Sequence, residues 1–193
     1  MTKKIEDNII SDDDVIRSVK SGRINDFEIL IDRYKVRIVN FIYRMILDYD
    51  EAQSISQDVF FKIFTNIKKF REEDNFNSFI FTIAKNMTLN YIKKSKRSIC
   101  FSTLFKRTND NRLASSEESG DAKVEKEEKE KLLDLGLKSI NEDQRLALIM
   151  KIYLRLSYKD ICDITGWSEP KVETLIFRAK KNLINFVKMQ ENG

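Results

Sequence analysis

The sequence predicts an all-α protein built as two small helical domains joined by a flexible linker. Three observations carry the prediction. The 193 residues include one proline and five glycines, against usual shares of about 5% and 7%, so turn-formers are scarce and long helices are favoured. Apolar residues recur at spacings of three and four through both halves of the chain. Between the halves the charge reverses: positions 85–107 hold seven bases and no acid, and positions 108–130 hold eight acids against four bases.

The first domain is expected over 1–97. Ser11-Asp12-Asp13-Asp14 reads as a capping box opening a short helix that ends near Ser21 and Gly22. Asn25 and Asp26 start a longer helix whose Phe27, Leu30, Ile31, Tyr34, Ile38, Phe41, Ile42 and Met45 fall on one face. Asp48-Tyr49-Asp50 interrupts it, and a third helix follows with Ala52, Ile55, Val59, Ile63 and Ile67 inward. The polar stretch 70–77 reads as a loop. A fourth helix, capped near Asn77 or Ser78, turns Ile80, Ile83, Ala84, Met87 and Tyr91 inward. The linker is expected over 98–129, giving way to helix somewhere after Ala122, because 109–121 has the Ser, Asn, Glu and Gly content of a flexible connection.

The second domain is expected over 130–193. Asn141-x-x-Gln144 caps one helix, and Ser157-Tyr158-Lys159-Asp160 is a capping box for the next. Thr165-Gly166-Trp167 makes a tight turn. Ser168 then caps a further helix with Pro170 in its first turn, where the missing N–H is harmless. Trp167 precedes that cap and can staple onto Val172, and the helix continues through Leu175, Ile176, Ala179, Leu183 and Phe186. A short helix, a glycine turn and a second helix with a basic outer face make a helix-turn-helix pattern.

Composition excludes several classes of function. The chain has no histidine, so no Ser-His-Asp or Cys-His pair, imidazole base or His-ligated metal can be built. Cys100 and Cys162 lack metal or redox spacing and suit a reduced compartment. Neither catalytic residues nor cofactors nor metals are expected. No apolar run approaches the roughly 20 residues of a membrane span, and MTKKIEDNII lacks the features of a signal peptide. A cytoplasmic protein without membrane insertion is the expectation.

The basic run 85–107 exceeds what a helix C-terminus requires and points to phosphate contact. Among the aromatics around it, Phe70, Phe76, Phe79, Phe81 and Tyr91, most are expected in the core. Those at the loop edge are candidates for stacking on single-stranded DNA. In the second half, Lys171, Arg178, Lys180, Lys181 and Lys188 stand against Glu173 alone over 171–188, a balance suited to the major groove.

With both halves in view, the chain resembles the extracytoplasmic-function group of the sigma-70 family of bacterial initiation factors. Residues 11–97 look like sigma region 2 and residues 130–187 like region 4. Ala52-Gln53-Ser54-Ile55-Ser56-Gln57-Asp58-Val59-Phe60-Phe61-Lys62 is similar to the family's A-E-D-x-x-Q-E-x-F-x-K. Phe79-Ile80-Phe81-Thr82-Ile83-Ala84-Lys85-Asn86 is similar to W-L-[YF]-R-I-A-x-N. Leu156-Ser157-Tyr158-Lys159-Asp160-Ile161 is similar to L-S-Y-x-E-I, and the run from Val172 to Lys180 to V-x-S-x-[LI]-x-R-A-[RK].

The resemblance implies a factor that binds core RNA polymerase, directs it to promoters through the −35 and −10 elements, and promotes DNA melting. Gln57, Asp58, Phe61 and Lys62 would dock on the β′ clamp helices, with the β flap as a second polymerase contact. Asn86 would read a flipped −10 base; Lys85, Lys93, Lys94, Lys96 and Arg97 would hold phosphates, with Phe76 and Asn90 on the same single-strand surface. Lys171, Glu173, Thr174, Phe177, Arg178 and Lys181 would meet duplex −35 DNA. The acidic linker would thread towards the RNA exit channel. The resemblance also implies an anti-sigma factor, although no residue identifies one. A second idea has region 4 reading DNA weakly, with a separate DNA-targeting partner.

Departures from the family pattern are local. Gln53 and Ser54 replace two acids, Phe79 stands for Trp, and Thr82 stands for Arg. In the last helix Lys171, Glu173 and Leu175 stand for Thr, a base and Arg. Glu173 repels phosphates but can accept a hydrogen bond from cytosine N4. The alternative reading is a stand-alone helix-turn-helix regulator whose first half is a dimerisation or sensor bundle.

Overall fold

The computed structural model describes residues 10–71, 75–105 and 131–191. Every regular element among the described residues is helical. The first half contains α1 (Asp12–Lys20), α2 (Phe27–Ile46), α3 (Tyr49–Asn66) and α4 (Phe76–Phe105), with short 3₁₀ turns at Ile24–Asp26 and Ile67–Lys69. The second contains α5 (131–139), α6 (Glu142–Ile152), α7 (Tyr158–Thr165) and α8 (Glu169–Glu191). The helix that opens the second half lies within the expected second domain; its expected onset after Ala122 lies outside the described residues.

Local sequence sets most helix ends. Ser11 accepts the Asp14 amide at 3.1 Å and opens α1. Leu47 stops α2 in the left-handed conformation, φ 58°, and Asp48 restarts the chain by accepting the Glu51 amide at 3.0 Å. Ser157 and Asp160 form the expected reciprocal box. Three caps differ from expectation. The box at Ser11 is half formed, since the Asp14 carboxylate accepts from the Ser11 hydroxyl at 2.6 Å and not from the Ser11 amide. α4 starts earlier, at Phe76, with Asn75 accepting the Ser78 amide at 3.2 Å, so the loop is shorter than 70–77. Asn141 caps α6 alone by accepting the Asp143 amide, whereas Gln144 pairs with Asn182 of α8. α4 also continues as helix to Phe105, through the first positions of the expected linker.

In the first half α2 packs against both α3 and α4. Phe41 and Phe81 are buried edge to face, ring centroids 5.8 Å apart, a geometry worth about 0.5–1.5 kcal/mol beyond burial. Phe70 and Phe76 belong to this core as well. Phe76 is 4% exposed and meets Tyr34 and Phe70 edge-on at 5.4 and 5.5 Å. The expectation that Phe76 offers a stacking surface to DNA is therefore corrected: its ring is spent on closing the bundle. Tyr34 is anchored from the other side, its hydroxyl donating to Asp12 at 2.5 Å. Burial, with Asp12 second, pushes that phenol well above its ordinary range.

In the second half Leu137, Leu146, Ile149, Ile161, Ile164, Val172 and Ala179 form the interior. Gly136 lets α5 approach α8, since a Cβ there would sit 3.0 Å from Leu183 Cδ2. Gly166 ends α7 at φ +73°, the left-handed region that disfavours side chains. Space is not the constraint there, because nothing lies within 4 Å of a built Cβ. Gly166→Ala should therefore lower stability by about 1–2 kcal/mol through the backbone alone. Thermal melts followed by circular dichroism check this, with unchanged native helix content expected.

Candidate nucleic-acid interface

α4 carries the single-strand candidates. Asn86, Asn90, Lys93 and Arg97 recur at helical spacing and are all exposed, so they form one stripe along the helix. Two amides at its start can donate and accept on base edges, and two cations beyond suit phosphates. Lys94 and Lys96 flank it, also exposed. Lys85 differs: it is half-buried, and its ammonium donates at 2.6 Å to the Ile164 carbonyl of α7. Burial lowers its pKa from the ordinary lysine value.

α8 carries the duplex candidates. Val172, Ile176 and Ala179 are buried and turn Thr174, Phe177, Arg178 and Lys181 outward. Phe177 is 68% exposed. Lys171 is exposed but engaged, 4.5 Å above the Trp167 ring and 4.0 Å from Asp143. The Thr174 hydroxyl donates back to the Pro170 carbonyl at 2.8 Å.

A third surface lies on α3. Gln57, Asp58, Phe61 and Lys62 are exposed on one side, Phe61 at 70%. Gln57 and Phe61 line a groove of about 520 Å³ between α2 and α3, whose floor includes Phe27, Ile31, Phe60 and Phe64. The sequence marks Ile31 as a core-facing residue and Gln53 as a departure from the family pattern, and it does not mark Phe64; the groove brings all three together. Gln53 and Phe64 share the helical register of Gln57 and Phe60, which is the signal that could have found them.

The two halves pack on each other, α2 against α6 and α4 against α7. Their contact is a reciprocal cap. Lys85 from the first half donates to the Ile164 carbonyl near the end of α7, and Arg145 from α6 donates to the Met45 carbonyl near the end of α2 at 2.8 Å. Both acceptors belong to last turns, where carbonyls lack intrahelical partners and the helix end is negative. Arg145 reaches the Lys138 and Ile140 carbonyls as well, and burial lowers its pKa from the ordinary value. Around this pair Tyr43 donates to Asp134 at 2.5 Å, Lys96 pairs with Glu142, and Arg44 stacks 3.8 Å above Tyr153.

A helical bundle with a one-sided amide and cation stripe, tied to a helix-turn-helix, defines a two-part DNA-binding protein. The family described as Sigma-70 region 2 matches residues 30–98, and that described as Sigma-70, region 4 matches residues 131–183. The chain belongs to the sigma-70 family, in its extracytoplasmic-function group. It is 25% identical over 159 residues to RNA polymerase sigma factor YlaC of Bacillus subtilis, covering 82% of this chain and 90% of that one. It is 26% identical over 187 residues to the ECF RNA polymerase sigma-E factor of Escherichia coli, covering 92% and 95%. Two solved structures share the fold. CnrH in complex with the cytosolic domain of CnrY matches at TM-score 0.68 and 17% identity, covering 92% of this chain and 97% of that one. The sigma factor RpoE in complex with the anti-sigma factor NepR from Bartonella quintana matches at 0.66 and 21%, covering 84% and 97%. As a sigma factor the chain binds core RNA polymerase and confers promoter-specific initiation; the stand-alone regulator is not favoured.

If the reciprocal cap holds the halves together, Arg145→Met should loosen them. A hydrogen bond from a charged group is worth about 1.5–3 kcal/mol, enough to raise the separated population roughly tenfold or more. Spin labels on α3 and α8 should report a longer distance distribution with unchanged helix content. An unchanged distribution would assign the closure to the other contacts.

Proposed function

We propose that region 2 docks on polymerase through the α2–α3 groove and traps the unpaired −10 strand along α4, while α8 enters the duplex at −35. The observation that carries this reading is the exposed stripe Asn86, Asn90, Lys93 and Arg97 on a single helix face. Asn86 hydrogen-bonds the edge of an unstacked base, and Lys93, Lys94, Lys96 and Arg97 hold the strand by its phosphates. Trapping has to offset an unstacking cost of a few kcal/mol; binding alone drives the opening, and no covalent step is involved. Domain limits of 1–97 and 130–193, with the linker between, fit this division of labour.

Gln57, Asp58, Phe61 and Lys62 face the β′ clamp helices in this reading. Phe61 is the anchor: an exposed aromatic beside an apolar groove is the kind of residue that dominates binding energy. The second half reaches the β flap, with Lys171, Thr174, Phe177, Arg178 and Lys181 on the −35 side. The protein works in the cytoplasm as a non-enzymatic factor. Among the described residues no helix is long and apolar enough to cross a membrane. An anti-sigma factor is a further partner, as for the similar Bartonella quintana protein.

The closed packing of the two halves has to open for this task. Elements about 25 base pairs apart lie roughly 85 Å apart along the duplex, whereas a compact chain of this length has a radius of gyration of about 16 Å. The segment 106–130 can bridge at most about 85 Å when extended. Opening also releases Lys85 from the Ile164 carbonyl and Lys96 from Glu142, adding both cations to the strand-binding surface.

Two variants test the reading. Asn86→Ala should slow promoter opening about tenfold or more, on the scale of one lost base contact of 1–3 kcal/mol, while binding of core polymerase is retained. Opening is read from 2-aminopurine fluorescence in the −10 strand, and a loss of core binding instead would reassign the residue. Phe61→Asp should weaken core binding at least thirtyfold, on the ~2 kcal/mol scale of an interface anchor, measured by titrating labelled protein with core polymerase.

A further inference from the structure

Glu173 is out of place on the surface that surrounds it. It is the single acid between positions 171 and 188, among five bases. The buried stripe Val172, Ile176 and Ala179 fixes the inward side of α8. At 100° per residue Glu173 then lies on the same flank as Phe177, one turn further on. Both are exposed. Lys171 is drawn aside by Trp167 and Asp143, and among the described residues no hydrogen bond or ion pair occupies the Glu173 carboxylate. The acid is therefore available to whatever α8 meets.

A carboxylate brought near duplex DNA is repelled by phosphates, so its place on a groove-facing helix has to be offset by a base contact. Major-groove edges offer two hydrogen-bond donors, cytosine N4 and adenine N6. The adenine donor sits beside the N7 acceptor, which repels a carboxylate and suits an amide instead. The cytosine amino group has no acceptor beside it on its own edge. The Phe177 ring, on the same flank, would shield such a bond from water and strengthen it. We infer that Glu173 is a specificity-determining residue that selects a cytosine within the upstream duplex element by accepting from its N4 amino group. The inference rests on the reading that α8 enters the major groove.

The test uses holoenzyme reconstituted with core polymerase and a promoter pool randomised across the upstream element. The wild type should enrich a cytosine at one position. Glu173→Ala should flatten that position alone, leaving the rest of the motif intact, and Glu173→Arg should switch it towards guanine, whose O6 and N7 accept from a guanidinium. Replacing the selected cytosine by pyrimidin-2-one, which lacks the amino group, should weaken wild-type binding about tenfold and leave Glu173→Ala unaffected. Retention of the cytosine preference by Glu173→Ala overturns the inference while leaving α8 as the upstream reader. Failure of the wild type to enrich any upstream motif overturns the reading of α8 itself, and the inference with it.

Discussion

The arrangement of this protein depends on two cations that cross between its halves to meet helix ends. Lys85 satisfies the last turn of α7 and Arg145 the last turn of α2. Neither acceptor has an intrahelical partner, so each half supplies what the other lacks. The apolar contacts between α2 and α6 and between α4 and α7 bring these groups within reach. The hydrogen bonds then select one orientation out of the many that apolar packing alone would tolerate. Arg145 ties the turn between α5 and α6 into the same site through the Lys138 and Ile140 carbonyls, so the closure is continuous with the interior of the second half.

Functional surfaces are distributed around this closure in different states. The α3 flank with Phe61 and the outer face of α8 with Phe177 are open to solvent. On α4 the outer stripe is open as well, while Lys85 and Lys96 are held by the other half. Polymerase docking and strand capture thus make different demands. In the proposed reading the first would use a groove already formed between α2 and α3, and the second would gain Lys85 and Lys96 when the halves part. In that reading the lysine that caps α7 in the closed arrangement is one that would meet the strand once the halves part.

The local grammar of the chain was legible. Ser157 and Asp160, Gly166, and the stripe from Phe27 to Met45 each follow from short-range rules of capping, left-handed turns and helical period, and the structure agrees with all three. The stretch 70–77 was harder because its polar composition hides two aromatic anchors. Phe76 packs on Tyr34 of α2 and Phe70 packs on Phe76, contacts that no local pattern encodes. Asn75 caps α4 in place of its neighbours for a related reason, since burying Phe76 fixes where the helix begins. Contacts between the halves left the least trace. Lys85 and Ile164 are 79 residues apart, and Met45 and Arg145 are 100 apart. Each acceptor is a backbone carbonyl, which every residue possesses. The charge of Lys85 is visible in the sequence, and its carbonyl acceptor is not.

That the two central contacts join a cation to a carbonyl, and not to a carboxylate, has a consequence for how the protein responds to ionic strength. Dissolved ions weaken attraction between exposed charges over a Debye length of about 8–10 Å, and act less on partly buried contacts. DNA binding is more sensitive, because each phosphate engaged by a lysine or arginine releases a condensed counterion. Lys85 and Arg145 are both partly buried in their carbonyl contacts. In the proposed reading, added electrolyte would weaken the DNA contacts more than the closure, and a lower ionic strength would strengthen the DNA contacts while leaving the closure much as it is. On that reading, the ionic medium therefore biases the choice between the carbonyl contact of Lys85 and a phosphate contact.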